Sequence, residues 1–535
     1  MLKKIDTSAF TFERLRTHDC LYVDKTEYVY NLVHGDLAYF LSRPRRFGKS
    51  LLLSTLDAYF SGRKDLFKGL AIEQLDPGEW ETYPIIRLDM AEVADANADA
   101  AMIAENLVEA LDDNARRLQI PLRGHTPARC LKNLITDITD RTGKQAVILI
   151  DEYDKPILSV IGRPQAEPIL EELRNFYQII KSANAKERFV FITGVTKFAH
   201  TSIFSGANNP TDLTMMADYA TMLGYTHEEL EANFGEYIDE TAQKIGLSRQ
   251  KLLDGITEWY DGFRFHGKAP SVFNPVSVGK FFVNREFSNY WYDTGSPKFL
   301  LEVAKKTPFA IEQYRNTPLE YTAFDKYEIN DLDPLVVAVQ TGYLTIKKTE
   351  TDFDYSTLYY VDYPNKEIRD AFRSYLFEAC ASCKSMQRRD ILKGLVTALK
   401  NGDVDGFMCP IQSLLAGLPW GNLGQDREDP VAFYEGYFRN LLALAFAIID
   451  MRVAAEERTS DGVIDLVAHY ADRTFILELK AGREQEADRL LDEALNQITK
   501  KDYAAKYRWL SQNITCIGVV FDVESRRLVK WRAEK

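Results

Sequence analysis

The sequence predicts an α/β protein with a doubly wound parallel sheet at its N-terminus, a helical middle region and a smaller α/β domain at its C-terminus. Three observations carry this. Short apolar runs suited to buried strands (DLAYFLS, YPIIRLDMA, QAVILID, RFVFITG) alternate with stretches of helical spacing around residues 100–118 and 167–183. A glycine-containing break, SRPRRFGKS, joins the first strand to a helix that stops at Gly62. Near the C-terminus, DGVIDLVAHYADRTFILELKAG reads as a pair of strands.

Bulk properties narrow the function classes. A chain of 535 residues is too long for one core, and about two to four domains are expected. Hydrophobic content of 46% and charged content of 27% are those of a soluble globular protein. The longest apolar stretch, Leu441 to Ile449, falls short of the ~18–20 residues of a membrane span. MLKKIDTSAFTFERL lacks the apolar core of a secretory signal, so no membrane partner and a cytoplasmic setting are expected. Cys380 and Cys383 form the lone CxxC among six cysteines and read as ordinary reduced thiols. A net charge of −13, from 66 basic and 79 acidic residues, argues against wholesale wrapping of nucleic acid while leaving room for a local basic groove. The bases Lys500, Lys501, Lys506, Arg508, Arg526, Arg527, Lys530, Arg532 and Lys535 read as a solvated face slightly ahead of a phosphate-tracking one.

The first strand ends at the phosphate-loop candidate. The usual pattern is Gly, four residues, then Gly-Lys-Ser/Thr. Gly48-Lys49-Ser50 satisfies its second half, and Arg43 stands where the first glycine is expected. A helix N-terminus offers free N–H groups and a positive dipole end to an anion. Lys49 is expected to reach the terminal phosphates and Ser50 to offer a hydroxyl to Mg²⁺. Arg46, Phe47, Gly48 and Leu51 complete the nucleotide-binding loop.

A second element makes a chance helix start a poor explanation. QAVILIDEYDKP is a fully apolar strand that ends in Asp151-Glu152. An acid there can hold Mg²⁺, and an adjacent glutamate can deprotonate the attacking water. Thr193, Thr196 and Lys197 fall at the end of the next strand, where a polar group can sense the terminal phosphate. Thr193 lies nearest the strand end.

The extra strand between the two motifs, and Glu152 after Asp151, resemble the AAA-like branch of P-loop NTPases. YVDKT (Tyr22 to Thr26), RPRRFGKSLLL, LIDEYDKP, ITGVTKFAHTSIFSGANNPTDLT and LGYTHEEL together resemble the AAA-ATPase-like family of bacterial proteins. The resemblance implies ATP and Mg²⁺ as cofactors. It makes Arg43 a normal variation, with arginines assisting the phosphate cradle. EWYDGFRF, VFNPVSVGKFF and NYWYDTGSPKFL resemble the helical and winged-helix lid of related NTPases, in which a proline sits over the adenine. Asn274-Pro275 is the matching pair, against the simpler reading of a loop proline before a helix. Tyr22 to Thr26 could line the base pocket or serve as packing. LVVAVQTGYLTIKKT and STLYYVDYPNKEIRDAF read as strand, strand, then helix.

The C-terminal strands carry a second set of chemical groups. Alternation puts Glu478 and Lys480 on one face, and Asp465 on the neighbouring strand can bring a second carboxylate beside them. Two carboxylates and a backbone carbonyl suit a hard ion, Mg²⁺ or Mn²⁺, that activates water while Lys480 orients it or offsets charge. The spacing resembles PD-(D/E)XK nucleases, a restriction-endonuclease-like α/β fold. Glu435 on the upstream helix matches their extra acid, and Gln497 and Tyr503 match the RecB-like branch. The chain departs from the frequent Gly-Arg-x-Asp, having Gly462-Val463-Ile464-Asp465.

The expected organisation is an AAA-like core over 1–228, a lid region over 229–375, a helical connector over 376–430 and a nuclease-like domain over 431–535. The expected function is an ATP-driven or ATP-gated nuclease acting on nucleic acid, DNA ahead of RNA, with a role in defence against foreign DNA and with homo-oligomers left open. The rival readings are a nucleotide-dependent switch whose C-terminal module binds without cutting, and an NTPase that uses that module only as a platform.

Overall fold

The computed structural model describes residues 2–8, 11–197, 210–291, 318–324, 334–352, 355–381, 393–399, 401, 403–416, 430–449, 451–511, 513–525 and 527–534. Cys383, residues 198–209 of the ITGVTKF segment, residues 292–300, parts of the connector, Arg526 and Lys535 lie outside them, as does the Cys380 side chain. The chain divides into two compact units, Met1–Phe299 with Asn316–Arg369, and Leu300–Arg315 with Asp370–Lys535.

The first unit is built on a parallel sheet of β1 (Ala38–Ser42), β2 (Ile85–Asp89), β3 (Ala146–Asp151), β4 (Glu187–Gly194) and β5 (Thr211–Asp212), in the order β2-β3-β4-β1-β5. Central strands of such a sheet are covered on both faces, which is why β3 and β4 read as continuous apolar runs. Alternation still sorts the side chains. Phe40, Ile86, Ile148, Ile150, Val190 and Ile192 pack in one cluster with Ala100–Arg117, Pro127–Thr142 and Ala166–Ser182. Those helices begin where short polar side chains take up free N–H groups: Asp99 accepts from Met102 N and Thr126 from Arg129 N. On the opposite face, Phe189 packs on Phe60 of the helix Lys49–Phe60, ring centroids 5.0 Å apart. Inserting β4 between β1 and β3 brings the phosphate loop, the acidic strand end and the Thr193 strand end to one edge.

Three helices follow: His227–Ile245, Arg249–Tyr260 and Pro275–Asn284, packed around Leu230, Phe234, Ile256, Phe273, Val278 and Phe281. A capping box, Thr226 with Glu229, opens the first. An antiparallel sheet follows, of β6 (Pro318–Glu320), β7 (Thr345–Thr351) and β8 (Thr357–Asp362), in the order β6-β8-β7. Here one expectation is corrected. The first half of LVVAVQTGYLTIKKT is a helix, Pro334–Gln340, and only its second half is strand β7. An apolar run of five residues, LVVAV, has no readable period, and Pro334 is a favoured first helical residue.

The second unit carries a five-stranded sheet of β9 (Arg452–Thr459), β10 (Gly462–Tyr470), β11 (Arg473–Gly482), β12 (Asn513–Asp522) and β13 (Arg527–Glu534). All neighbours are antiparallel except β11 and β12, which are parallel and joined through the crossover helix Ala487–Lys500. That helix buries Leu491, Leu495 and Ile498 against the sheet, as a βαβ unit requires. The helix Pro430–Ile448, buried along Leu441–Ala447, also packs on β9 and β11. In this unit Lys506, Arg508, Lys530 and Arg532 pair with Glu457, Asp502, Asp488 and Asp492. The solvated-face reading fits these pairings.

Glu187, at the start of β4, is 2% exposed and its Oε1 has no hydrogen-bond partner. Burial pushes its carboxyl up to about 8. Between the ordinary carboxylate range and about pH 8 the folded chain therefore holds a proton that the unfolded chain has released, and stability falls as pH rises across that window. Glu187→Gln should remove this decline, so that the variant is the more heat-resistant at pH 8. Thermal unfolding midpoints at pH 5.5 and 8 check this.

Candidate active sites

Two sites take shape, one in each unit. In the first, β1 ends in a loop whose backbone turns left-handed at Arg46 (φ 68°) and again at Gly48 (φ 96°), the N-cap of the helix Lys49–Phe60. Leu52 N makes the first intrahelical bond, to Gly48 O, so the N–H groups of Lys49, Ser50 and Leu51 precede any helical acceptor. Nothing lies within 4 Å of where a Cβ on Gly48 would stand. Lys49 is buried, and its Nζ donates to Arg43 O at 2.9 Å and Pro44 O at 3.1 Å. Burial holds its pKa below the ordinary lysine value, opposed by Asp151 and Glu152.

Asp151 is the meeting point. Its Oδ2 accepts from Ser50 Oγ and its Oδ1 from Thr193 Oγ1, each at 2.5 Å. Glu152 follows in the left-handed region, φ 49°, with its side chain about a third exposed on a cavity of about 400 Å³. Arg45 to Leu52 and Lys155 line the phosphate end of this cavity. Tyr22, Val23, Lys25, Tyr225, Phe234 and Pro275 line the remainder. Pro275 is the first residue of its helix, capped by Asn274 Oδ1 on Val276 N and Ser277 N, both 3.0 Å. Thr26 turns elsewhere, with its Oγ1 accepting from Ile72 N. A cavity of this size, with free N–H groups at one end and apolar walls at the other, fits a nucleoside triphosphate. The Ser50–Asp151 pair fits its hydrated Mg²⁺.

Three polar residues after β4 have separate acid partners. Thr193 bonds Asp151, Thr196 Oγ1 donates to Asp154 Oδ2 at 2.6 Å, and Lys197 Nζ pairs with Asp212 at 2.6 Å. Of the three, Thr193 alone reaches Asp151.

Arg43 requires a correction. Its guanidinium is not part of a phosphate cradle. The residue is 1% exposed, and Nη1 donates to Ser42 O (2.9 Å) and Thr214 O (2.7 Å), while Nη2 reaches Tyr219 O (3.2 Å). It also stacks on Phe265, 4.1 Å from the ring centroid. Five donors in a planar fork let it satisfy several buried carbonyls, which a glycine could not do. Phe47 likewise faces inward, edge-on to Phe263 and Phe265. Arg45 and Arg46 line the cavity.

In the second unit, Asp465 on β10 and Glu478 on β11 come together because Leu466 registers with Leu477. Leu479 N donates to Asp465 Oδ2 at 2.8 Å. Glu478 is 1% exposed; its Oε1 takes Lys480 Nζ at 3.1 Å and its Oε2 has no hydrogen-bond partner. Burial, reinforced by Asp465, pushes the Glu478 carboxyl up to about 7, and burial also raises Asp465. Burial works against the charge on Lys480, but Glu478 and Asp465 outweigh it and hold its pKa above the ordinary value. A buried carboxylate and a half-buried one that resist ionising together, the buried one with an unpartnered oxygen, fit a divalent cation. Glu435 stands nearby, yet its Oε1 is taken by Ala481 N at 2.9 Å. No group of three or more His, Cys, Asp or Glu side chains poised for a metal occurs among the described residues. Gln497 Nε2 reaches Tyr503 Oη at 3.4 Å, and Tyr503 Oη donates to Val463 O at 2.8 Å, so both brace the Asp465 strand.

A family model described as a predicted AAA-ATPase matches residues 7–204, and one described as the PD-(D/E)XK nuclease superfamily matches residues 433–531. A protein of the vnfD 5′ region of Azotobacter chroococcum mcd 1 is 33% identical over 542 residues, covering 99% of both chains. The chain belongs to the AAA-ATPase-like family with a C-terminal PD-(D/E)XK nuclease-type domain. Chains in two structures of Drosophila ORC with Cdc6, bound to GC-rich DNA and to poly(dA/dT) DNA, match this AAA-ATPase-like protein at 14% identity, with TM-scores of 0.23 and 0.24. The matches cover 82% and 73% of this chain but 62% and 53% of theirs, and scores so low carry no argument.

Sequence reasoning missed three residues of this AAA-ATPase-like protein. Asp154 is fully buried behind Glu152. Glu367, also fully buried, accepts from Trp291 N at 2.6 Å and Ser277 Oγ at 2.9 Å, and Trp291 Nε1 donates to Arg45 O at 3.0 Å. Arg439, one helical turn after Glu435, reaches Glu456 at 2.8 Å and Asp465 at 3.8 Å. The fourth position of DEYD was a signal for Asp154. Arg439 could have been found from its i+4 spacing to Glu435. No local pattern points to Glu367.

The buried setting of Arg43 sets an expectation. Arg43→Met should take the guanidinium donors from Ser42 O, Thr214 O and Tyr219 O, the last of which keeps Met222 N, and destabilise the chain by about 1–3 kcal/mol, the scale of one orphaned buried acceptor. Nucleotide affinity of the folded fraction should stay within about twofold. Denaturant unfolding and equilibrium binding of a fluorescent ATP analogue check the two halves.

Proposed function

We propose that the first unit binds and hydrolyses ATP and that the second cleaves nucleic acid, DNA ahead of RNA, in a divalent-ion-dependent reaction. Convergence carries the reading. Ser50, Asp151 and Thr193 close on one another beside a nucleotide-sized cavity, and Asp465, Glu478 and Lys480 close on one another around an unpartnered buried oxygen. The matched families support the same pair of activities.

MgATP, when bound, supplies the bond to be broken and the ion that neutralises its charge. Lys49 and the N–H groups of Gly48 to Leu51 bind phosphate oxygens. Ser50 and Asp151 hold the ion's ligand shell, and Thr193 keeps Asp151 oriented. Glu152 takes the proton of the attacking water. Pro275 and Tyr22 flank the base. In the second unit a bound Mg²⁺ or Mn²⁺ supplies Lewis acidity. Asp465 and Glu478 hold it, Lys480 orients the nucleophile or offsets charge, and Glu435 fixes the strand end through Ala481 N. A role against foreign DNA follows as the working hypothesis for such a pairing.

Lys49→Ala should abolish ATP hydrolysis, because the cation on the terminal phosphates is lost. Glu152→Gln should keep ATP bound while turnover falls at least ~10²-fold, the scale of a lost general base. Phosphate release and binding of a fluorescent ATP analogue separate these outcomes; unchanged turnover in Lys49→Ala would remove the loop from the site.

For the second unit, Asp465→Ala and Glu478→Ala should each suppress cleavage by about 10²-fold or more. Lys480→Ala should suppress it with metal binding largely kept, since ammonium is not a ligand. The assay is cleavage of supercoiled DNA, linear DNA and RNA in Mg²⁺ and in Mn²⁺. If the wild type does not cut, or the variants cut equally well, the nuclease reading fails and the nucleotide-switch reading replaces it.

A further inference from the structure

Glu152 is a non-glycine residue in the left-handed region, φ 49°, at the end of a fully buried strand. That backbone is strained for a residue with a Cβ, and such a conformation persists only where its surroundings over-determine it. The surroundings here are specific. Tyr153 N donates to Thr193 O at 2.9 Å, and Tyr153 Oη donates to Thr196 O at 3.0 Å. Asp154, 0% exposed, accepts from Val195 N (3.2 Å), Thr196 N (2.7 Å) and Thr196 Oγ1 (2.6 Å). The approach is close enough that a Cβ on Gly194 would stand 2.4 Å from the Tyr153 ring and 2.8 Å from Asp154 Oδ1. The same backbone segment is tied to the phosphate loop from its other side, through Arg43 N to Gly194 O (3.2 Å) and Ser42 Oγ to Val195 O (2.7 Å).

We propose that Asp154 is a positioning residue for ATP hydrolysis, whose buried carboxylate locks the turn carrying Glu152 onto residues 194–196 and thereby onto the phosphate loop. The assignment rests on the ATPase reading given above. Asp154 does not line the cavity, whereas Glu152 does. Its contribution is therefore to direction: it fixes where the Glu152 carboxylate stands relative to Asp151 and Thr193. A general base displaced by about 1 Å can lose on the order of 10²-fold in rate while the substrate still binds.

The test uses the full-length chain, with Mg²⁺-dependent phosphate release and equilibrium binding of a fluorescent ATP analogue. Asp154→Asn keeps the shape and turns one of the two oxygens that face the Val195 and Thr196 N–H groups into a donor. Its kcat should fall at least tenfold, while KM and analogue affinity stay within about threefold. Thr196→Val removes one of the donors and should lower kcat by a smaller factor with the same split. The double variant should be no slower than Asp154→Asn, because both changes break one clamp. If Asp154→Asn does not fold, Thr196→Val decides by the same split. Wild-type kcat in Asp154→Asn, alongside a Glu152→Gln variant that is inactive, overturns the assignment of Asp154 alone. A parallel loss of nucleotide affinity and turnover also overturns it, since that marks a merely structural residue. No turnover in the wild type overturns the ATPase reading itself.

Discussion

A carboxylate buried at the end of a strand needs hydrogen-bond partners, and Asp151 has two hydroxyls brought to it by two other elements. Ser50 comes from the first turn of the helix Lys49–Phe60 and Thr193 from the end of β4. Both bonds require β4 to lie between β1 and β3 and all three strands to end at the same level, as the parallel register does. The strand order, the length of the phosphate loop and the direction of its helix are all tied to that single acid. Lys49 completes the arrangement by lying across the loop's own carbonyls.

The second unit solves a similar problem differently. Its two carboxylates are brought side by side by an antiparallel register, and one lysine serves only one of the available oxygens. Burial then works against the pair, raising both carboxyls. Where the first unit satisfies its acid with neutral donors, the second sets cations beside its acids and leaves one buried carboxyl oxygen without a hydrogen-bond partner, and the two sites differ in kind for that reason.

Much of this was legible in the sequence. Strands β1 to β4 announced themselves as apolar runs, and Gly48 to Ser50, Asp151 and Glu152 followed from their position at strand ends. Asp465, Glu478 and Lys480 followed from alternation on two adjacent strands. What escaped depends on side-chain direction or on distant partners. Arg43 sits in a loop of basic residues, and nothing local says that its guanidinium turns inward to Thr214 and Tyr219, more than 170 positions away. Pro334–Gln340 was misread because a short apolar run shows no period. Glu367 is linked to Trp291 and Ser277 across separations of 76 and 90 positions, which no local pattern encodes.

The paired bases of the C-terminal unit bear on how it meets a polyanion. Lys506, Arg508, Lys530 and Arg532 each already have a carboxylate partner within the same unit. A phosphate backbone arriving there displaces protein acids rather than mobile anions, and the acids it displaces then repel it. The electrolyte sensitivity of nucleic-acid affinity should therefore be shallower than a count of positive residues suggests, because that slope follows the net number of condensed counterions set free. Contact with a nucleic-acid strand would have to draw on surface outside these pairs.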